Sequence, residues 1–115
     1  MLKKITGLLL VSISLTACYK DTEEELYPNS FVKDNNTYTF ATDVKPIIDI
    51  KCASAGCHIS GAQAPDLTTY ALVKANIVRV EARAVTLKTM PTSGALSVLE
   101  INKLKNWIDA GALNN

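Results

Sequence analysis

Two thiols and one imidazole stand together in Cys52-Ala53-Ser54-Ala55-Gly56-Cys57-His58, and His58 is the only histidine of the chain. Four chemistries use such a group. The thiols can close a small disulfide loop with His58 as a bystander. They can bind zinc together with His58, although a closed zinc site takes four ligands and no further histidine exists to complete it. They can work as a thioredoxin-like redox pair, which has two residues between its cysteines and a strand ahead of them. Or they can add across the two vinyl groups of one porphyrin while the imidazole reaches the iron from the same side. That last chemistry is usually written C-x-x-C-H, and here four residues separate the cysteines. The two extra residues must loop out, and Gly56 suits the turn. Taken alone, the seven residues leave disulfide and haem both open.

The start of the chain bears on the choice. Lys3 and Lys4 precede a charge-free stretch from Ile5 to Ala17, shorter than the about 20 apolar residues of a spanning helix. It ends in Leu15-Thr16-Ala17-Cys18, which resembles the lipobox of bacterial lipoproteins. Residues 1–17 are therefore expected to be a lipoprotein signal peptide, with Cys18 acylated as the first mature residue. The protein would be held to the membrane by that lipid, in the cell envelope on the periplasmic face or the cell surface. Beyond the cytoplasmic membrane, free thiols are oxidised or consumed, so Cys52 and Cys57 need a fate. Met1 leaves with the signal, and Met90 is then the one remaining methionine. Its thioether is the kind of second axial ligand that favours reduced haem iron, although a lone methionine also serves as core filler.

The elements that must position these groups read as helices. Residues 18–36 are polar and without period, with five acidic residues against Lys20 and Lys33, and form an acidic tether. Residues 37–115 form one domain. Its first helix is expected to be capped by Thr42 or Asp43, with Pro46 in the first turn and Val44, Ile47 and Ile48 on one face, and it delivers the chain to Cys52. A second helical pattern begins near Thr68 and carries Tyr70, Val73, Ile77 and Val80, although 78–85 also alternates like a strand. The last helix is expected from Val98 to Ala110. Ser97 and Glu100 match a capping box, Ile101, Leu104 and Ile108 make its buried stripe, and Gly111 suits its end.

The order Val44-Lys45-Pro46-Ile47-Ile48, Cys52 to His58, Ala64-Pro65-Asp66-Leu67, Met90-Pro91, Leu96-Ser97 and Trp107-Ile108-Asp109-Ala110-Gly111-Ala112 resembles small bacterial cytochrome c domains of the class I type. It covers about residues 37–113, and the cysteine spacing departs from the usual pattern. The resemblance implies an all-α domain wrapped around one covalent haem c, attached through Cys52 and Cys57. It implies His58 as proximal and Met90 as distal iron ligand, with the Pro65 carbonyl accepting a hydrogen bond from the imidazole. It also implies that the first and last helices cross, with Phe40 and Trp107 in contact. The function implied is one-electron transfer outside the cytoplasm to redox partner proteins.

Charge adds limits. The chain has 12 basic and 11 acidic residues, a formal +1, which gives no basis for a nucleic-acid partner. No nucleophile is paired with a base and no glycine-rich phosphate loop is present, so enzymatic activity is not expected. Lys51, Lys74, Lys88, Lys103 and Lys105 could ring one haem edge and steer an acidic partner, or simply be scattered solubilising charges. Two other functions stay open: a haem-free lipoprotein module with a Cys52–Cys57 disulfide, and a haem sensor or peroxidase-like domain in which Met90 dissociates. A domain of this size buries little apolar surface by itself, so the apoprotein is expected to be largely unfolded.

Overall fold

The computed structural model describes Phe31 and residues 33–115. The expected signal peptide, Cys18 and most of the expected tether lie outside the described residues. Among those described there is no strand, and the architecture is all-α. A helical run over 40–52 (α1) is followed by Tyr70–Ala75 (α2), a second run over 77–86 (α3) and Val98–Asp109 (α4). No helix among the described residues is long and apolar enough to cross a membrane.

α1 begins three residues ahead of the expected cap. Thr39, not Thr42 or Asp43, is the N-cap, its hydroxyl accepting from the Thr42 N–H at 3.3 Å. Asp43 closes the cap by accepting the Thr39 N–H at 3.0 Å. The next two free donors, Phe40 N–H and Ala41 N–H, go to the side chain and backbone oxygens of Asn115, both at 2.9 Å. All these residues are competent caps, and Asn115 reaches the turn only through tertiary folding. Pro46 therefore lies inside the helical run rather than in its first turn. It has no N–H to give, and the turn ahead of it widens to i→i+5 bonding over Phe40–Val44.

The buried face of α1 carries Phe40, Val44, Ile47 and Ile48, the spacing of one helical stripe. α4 crosses it. The Phe40 and Trp107 ring centroids lie 5.5 Å apart, and Tyr70 meets Phe40 edge-on at 5.1 Å. The Trp107 indole N–H donates to the Leu113 carbonyl at 2.9 Å, so this 1% exposed side chain buries no unpaired donor. Lys103 and Asp43 pair across the crossing at 3.2 Å.

α4 starts on a complete capping box. Ser97 N–H donates to the Glu100 carboxylate at 2.8 Å and Glu100 N–H to the Ser97 hydroxyl at 3.3 Å. Gly111, at φ +106°, ends it. The buried stripe differs from the expected one: Ile101, Leu104 and Trp107 are buried, while Ile108 is only partly so. Trp107 and Ile108 are adjacent on the helix, and the ring stack with Phe40 rotates the indole inward. The ambiguous stretch 78–85 is helical, Val78 facing solvent and Val80, Ala84 and Val85 facing the core. Phe31 packs on the core beneath the Lys105 ammonium, 5.7 Å from its ring centroid.

Candidate functional site

The motif sits where α1 runs out. The last turns of α1, Ile48–Cys52, bond i→i+5, and the Ala53 N–H closes this segment on the Ile48 carbonyl at 2.7 Å. The chain then folds back on itself: Cys57 N–H bonds the Ser54 carbonyl at 2.9 Å and His58 N–H the Cys52 carbonyl at 3.0 Å. The two residues beyond the usual spacing are absorbed in this turn, where Gly56 takes φ +78°. A left-handed φ is cheap for glycine and costly for a side chain bearing a Cβ.

His58 is half-buried, and its Nδ1 lies 2.9 Å from the Pro65 carbonyl oxygen. A carbonyl can only accept, so the proton of this bond is on Nδ1. In the neutral ring Nε2 then carries the free lone pair. The intervening loop is braced by backbone bonds, Gln63 N–H to the Cys57 carbonyl and Leu67 N–H to the His58 carbonyl, both 2.9 Å. Asp66 accepts from Thr68 N–H and hydroxyl, at 2.9 and 2.7 Å, which ties the loop to the start of α2.

Met90 comes from the other wall. α3 ends in a third wide segment, Glu81–Thr86. The chain reverses through Lys88 at φ +54°, and the Thr89 and Met90 N–H groups both donate to the Arg83 carbonyl, at 2.9 and 3.1 Å. Wide i→i+5 turns are rare and recur at functional sites. Here two of them end where the chain enters the walls of one cavity.

That cavity has a volume of about 600 Å3, within the about 300–1,000 Å3 of small-molecule and cofactor pockets. Cys52, Cys57, His58, Pro65 and Met90 all line it. Apolar walls come from Ile50, Leu67, Val80 and Ala84. Both cysteines are free thiols. Burial first, then the nearby Cys57 and Glu100 charges, push the Cys52 thiol up to about 11, so it stays protonated at neutral pH. Among the described residues no group of three or more His, Cys, Asp or Glu side chains is placed to hold a metal ion. A zinc site of the closed kind has no ligand set here.

No protein-family model, curated protein or solved structure matches this chain. The site rests on its own geometry.

The donor set fits a haem. The cavity holds one imidazole with Nε2 free, one thioether, two thiols and apolar walls. Of the two readings of the five lysines, the structure fits the scattered one. Lys103 and Lys105 are drawn to carboxylates on the helices and Lys74 donates to the Gly111 carbonyl at 2.6 Å. Of the five lysines only Lys51 lines the cavity, and it is paired with Glu100 at 3.8 Å. The other cations on the cavity are Arg79 and Arg83, one helical turn apart. Nothing in the sequence set them apart from a solvated helix face except their i, i+4 spacing.

Proposed function

We propose that this chain is an extracytoplasmic one-electron carrier whose pocket holds one haem c. Cys52 and Cys57 would attach it, His58 and Met90 would ligate its iron, and lipid on Cys18 would tether the domain to the cell envelope. The observation that carries this reading is the His58–Pro65 bond inside a cavity that also contains both thiols and Met90. When bound, the haem supplies an iron that alternates between ferric and ferrous by one electron.

The chain's own groups do the rest. Pro65 holds the imidazole in one tautomer and one orientation, and its carbonyl raises the basicity of Nε2. The Met90 thioether, a soft ligand, favours the reduced iron and so raises the potential. With His58 and Met90 both given to the group, the site would offer a substrate no position, which is why a carrier and not an enzyme is proposed. Ile50, Leu67, Val80 and Ala84 keep water from the apolar body of the group.

One observation favours the ligand-switching variant of this reading. The Thr89 and Met90 N–H groups share one carbonyl of α3, that of Arg83, whereas the His58 N–H, carbonyl and ring nitrogen each have a partner of their own.

The test is the processed protein from a host competent for haem attachment. Haem staining on a denaturing gel is expected to be positive, since a covalent group survives the gel. The oxidised spectrum is expected to show the weak far-red band of iron–methionine ligation, lost in Met90→Ala. A full-length, correctly processed chain that never stains overturns the proposal and leaves the disulfide module. A protein that stains but lacks the far-red band supports the sensor or peroxidase-like reading instead.

A further inference from the structure

The cations of the domain differ in whether a carboxylate meets them. Lys45, Lys51, Lys103 and Lys105 each reach a carboxylate. Arg79 and Arg83 do not: among the described residues neither guanidinium has an acidic partner. Glu81, between them in sequence, is held by Lys105 at 2.9 Å. Among the described residues the charged and titratable groups lining the cavity are Lys51, Cys52, Cys57, His58, Arg79 and Arg83, and no carboxylate lines it. Glu100, just outside the lining, pairs with Lys51 at 3.8 Å, which leaves the two guanidiniums as the uncompensated positive charge of the pocket.

The placement on α3 adds direction. Residues 79, 80, 83 and 84 form one face, on which Val80 and Ala84 are 7% and 4% exposed while both arginines are exposed. The inner part of this face is apolar and its outer edge is cationic. We infer that Arg79 and Arg83 are the carboxylate-binding edge of the pocket, taking two ionised carboxylates of a flat ligand while Val80 and Ala84 meet its apolar body. Guanidinium groups suit this task because they bind carboxylates through two parallel N–H donors and stay charged. The identity of the ligand rests on the haem reading, in which the carboxylates are the two propionates.

Arg83 has two separable parts. Its side chain lines the cavity, and its backbone carbonyl holds the Thr89 and Met90 N–H groups. Changing the side chain removes the charge and leaves the strap its acceptor. A loss of charge can therefore be told from a loss of the methionine ligand.

The test uses the holoprotein and the variant carrying R79Q and R83Q. An ionised carboxylate beside the iron stabilises the ferric form, and a guanidinium offsets it. Removing both guanidiniums is expected to lower the midpoint potential in an optical redox titration. It is also expected to raise the carboxylate pKa by about one unit or more, seen as a new or displaced step in potential between mildly acidic and neutral pH. The far-red band and the gel stain are expected to persist. The pair R79K and R83K, which keeps the charge, is expected to return the step towards its original position.

A potential and pH profile unchanged in the glutamine variant, with stain and band intact, overturns the assignment. So does an unchanged potential with an altered salt dependence of electron exchange with an acidic redox protein, which gives the arginines to a partner. Absence of stain in the unmutated protein overturns the haem reading and this assignment together, and the gel reports that outcome separately.

Discussion

Where α1 crosses α4, Phe40 and Trp107 are 6% and 1% exposed with their rings 5.5 Å apart. Where the same helix runs on to Cys52, it borders a cavity of about 600 Å3 and Ile50 is 69% exposed. The polar groups of the crossing are answered from within the chain: the indole by Leu113, the start of α4 by Ser97 and Glu100, the start of α1 by Asn115. The cavity side instead gathers two thiols, a thioether and two guanidiniums, and among the described residues no carboxylate meets either guanidinium. One half of the domain is packed on itself and the other is left open around a cavity.

The largest test of that contrast removes the attachment. A chain with Cys52→Ala and Cys57→Ala is expected to lose the haem stain and, with it, the cooperative thermal melt. If this variant melts cooperatively and gives dispersed amide signals, the crossing folds unaided and the halves are more independent than proposed. The next strikes the packed half: Trp107→Ala is expected to cost about 3–5 kcal/mol in denaturant unfolding. Below its midpoint the far-red band should survive, because the ring is remote from the cavity lining.

Ser97→Ala is expected to cost about 1 kcal/mol by loss of the N-cap, measured by the same unfolding curve. The smallest effect is at Asp43. The Thr39 N–H first, and Lys103 after it, hold its carboxyl below the ordinary 3.8. A pKa lowered by folding contributes stability that is present above 3.8 and lost as pH falls through the folded value. Asp43→Asn is expected to flatten the acid limb of a melting-temperature profile, leaving the cavity spectrum untouched.

The sequence showed the cavity lining more readily than the helix ends. Cys52, Cys57 and His58 are adjacent and chemically rare, and Met90 is conspicuous as a single residue. The capping box at Ser97 was equally plain, since its two members lie three apart. The start of α1 was not, because Thr39, Thr42 and Asp43 all suit a cap and the deciding acceptor, Asn115, is 75 residues from Phe40. The choice of Trp107 over Ile108 as the buried residue depended on a ring from another helix. Arg79 and Arg83 were overlooked because two arginines one turn apart look the same on any wet helix, and only the fold turns that face to the cavity.

The shared acceptor of the Met90 strap has a consequence for hydrogen exchange. Thr89 and Met90 amides depend on one oxygen, that of Arg83, at the frayable end of α3. Any opening that withdraws this carbonyl exposes both amides at once. Their deuterium uptake should therefore rise and fall together, and if the proposed haem is bound, slower uptake of the pair in the reduced protein than in the oxidised would report at the backbone that Met90 is held more firmly.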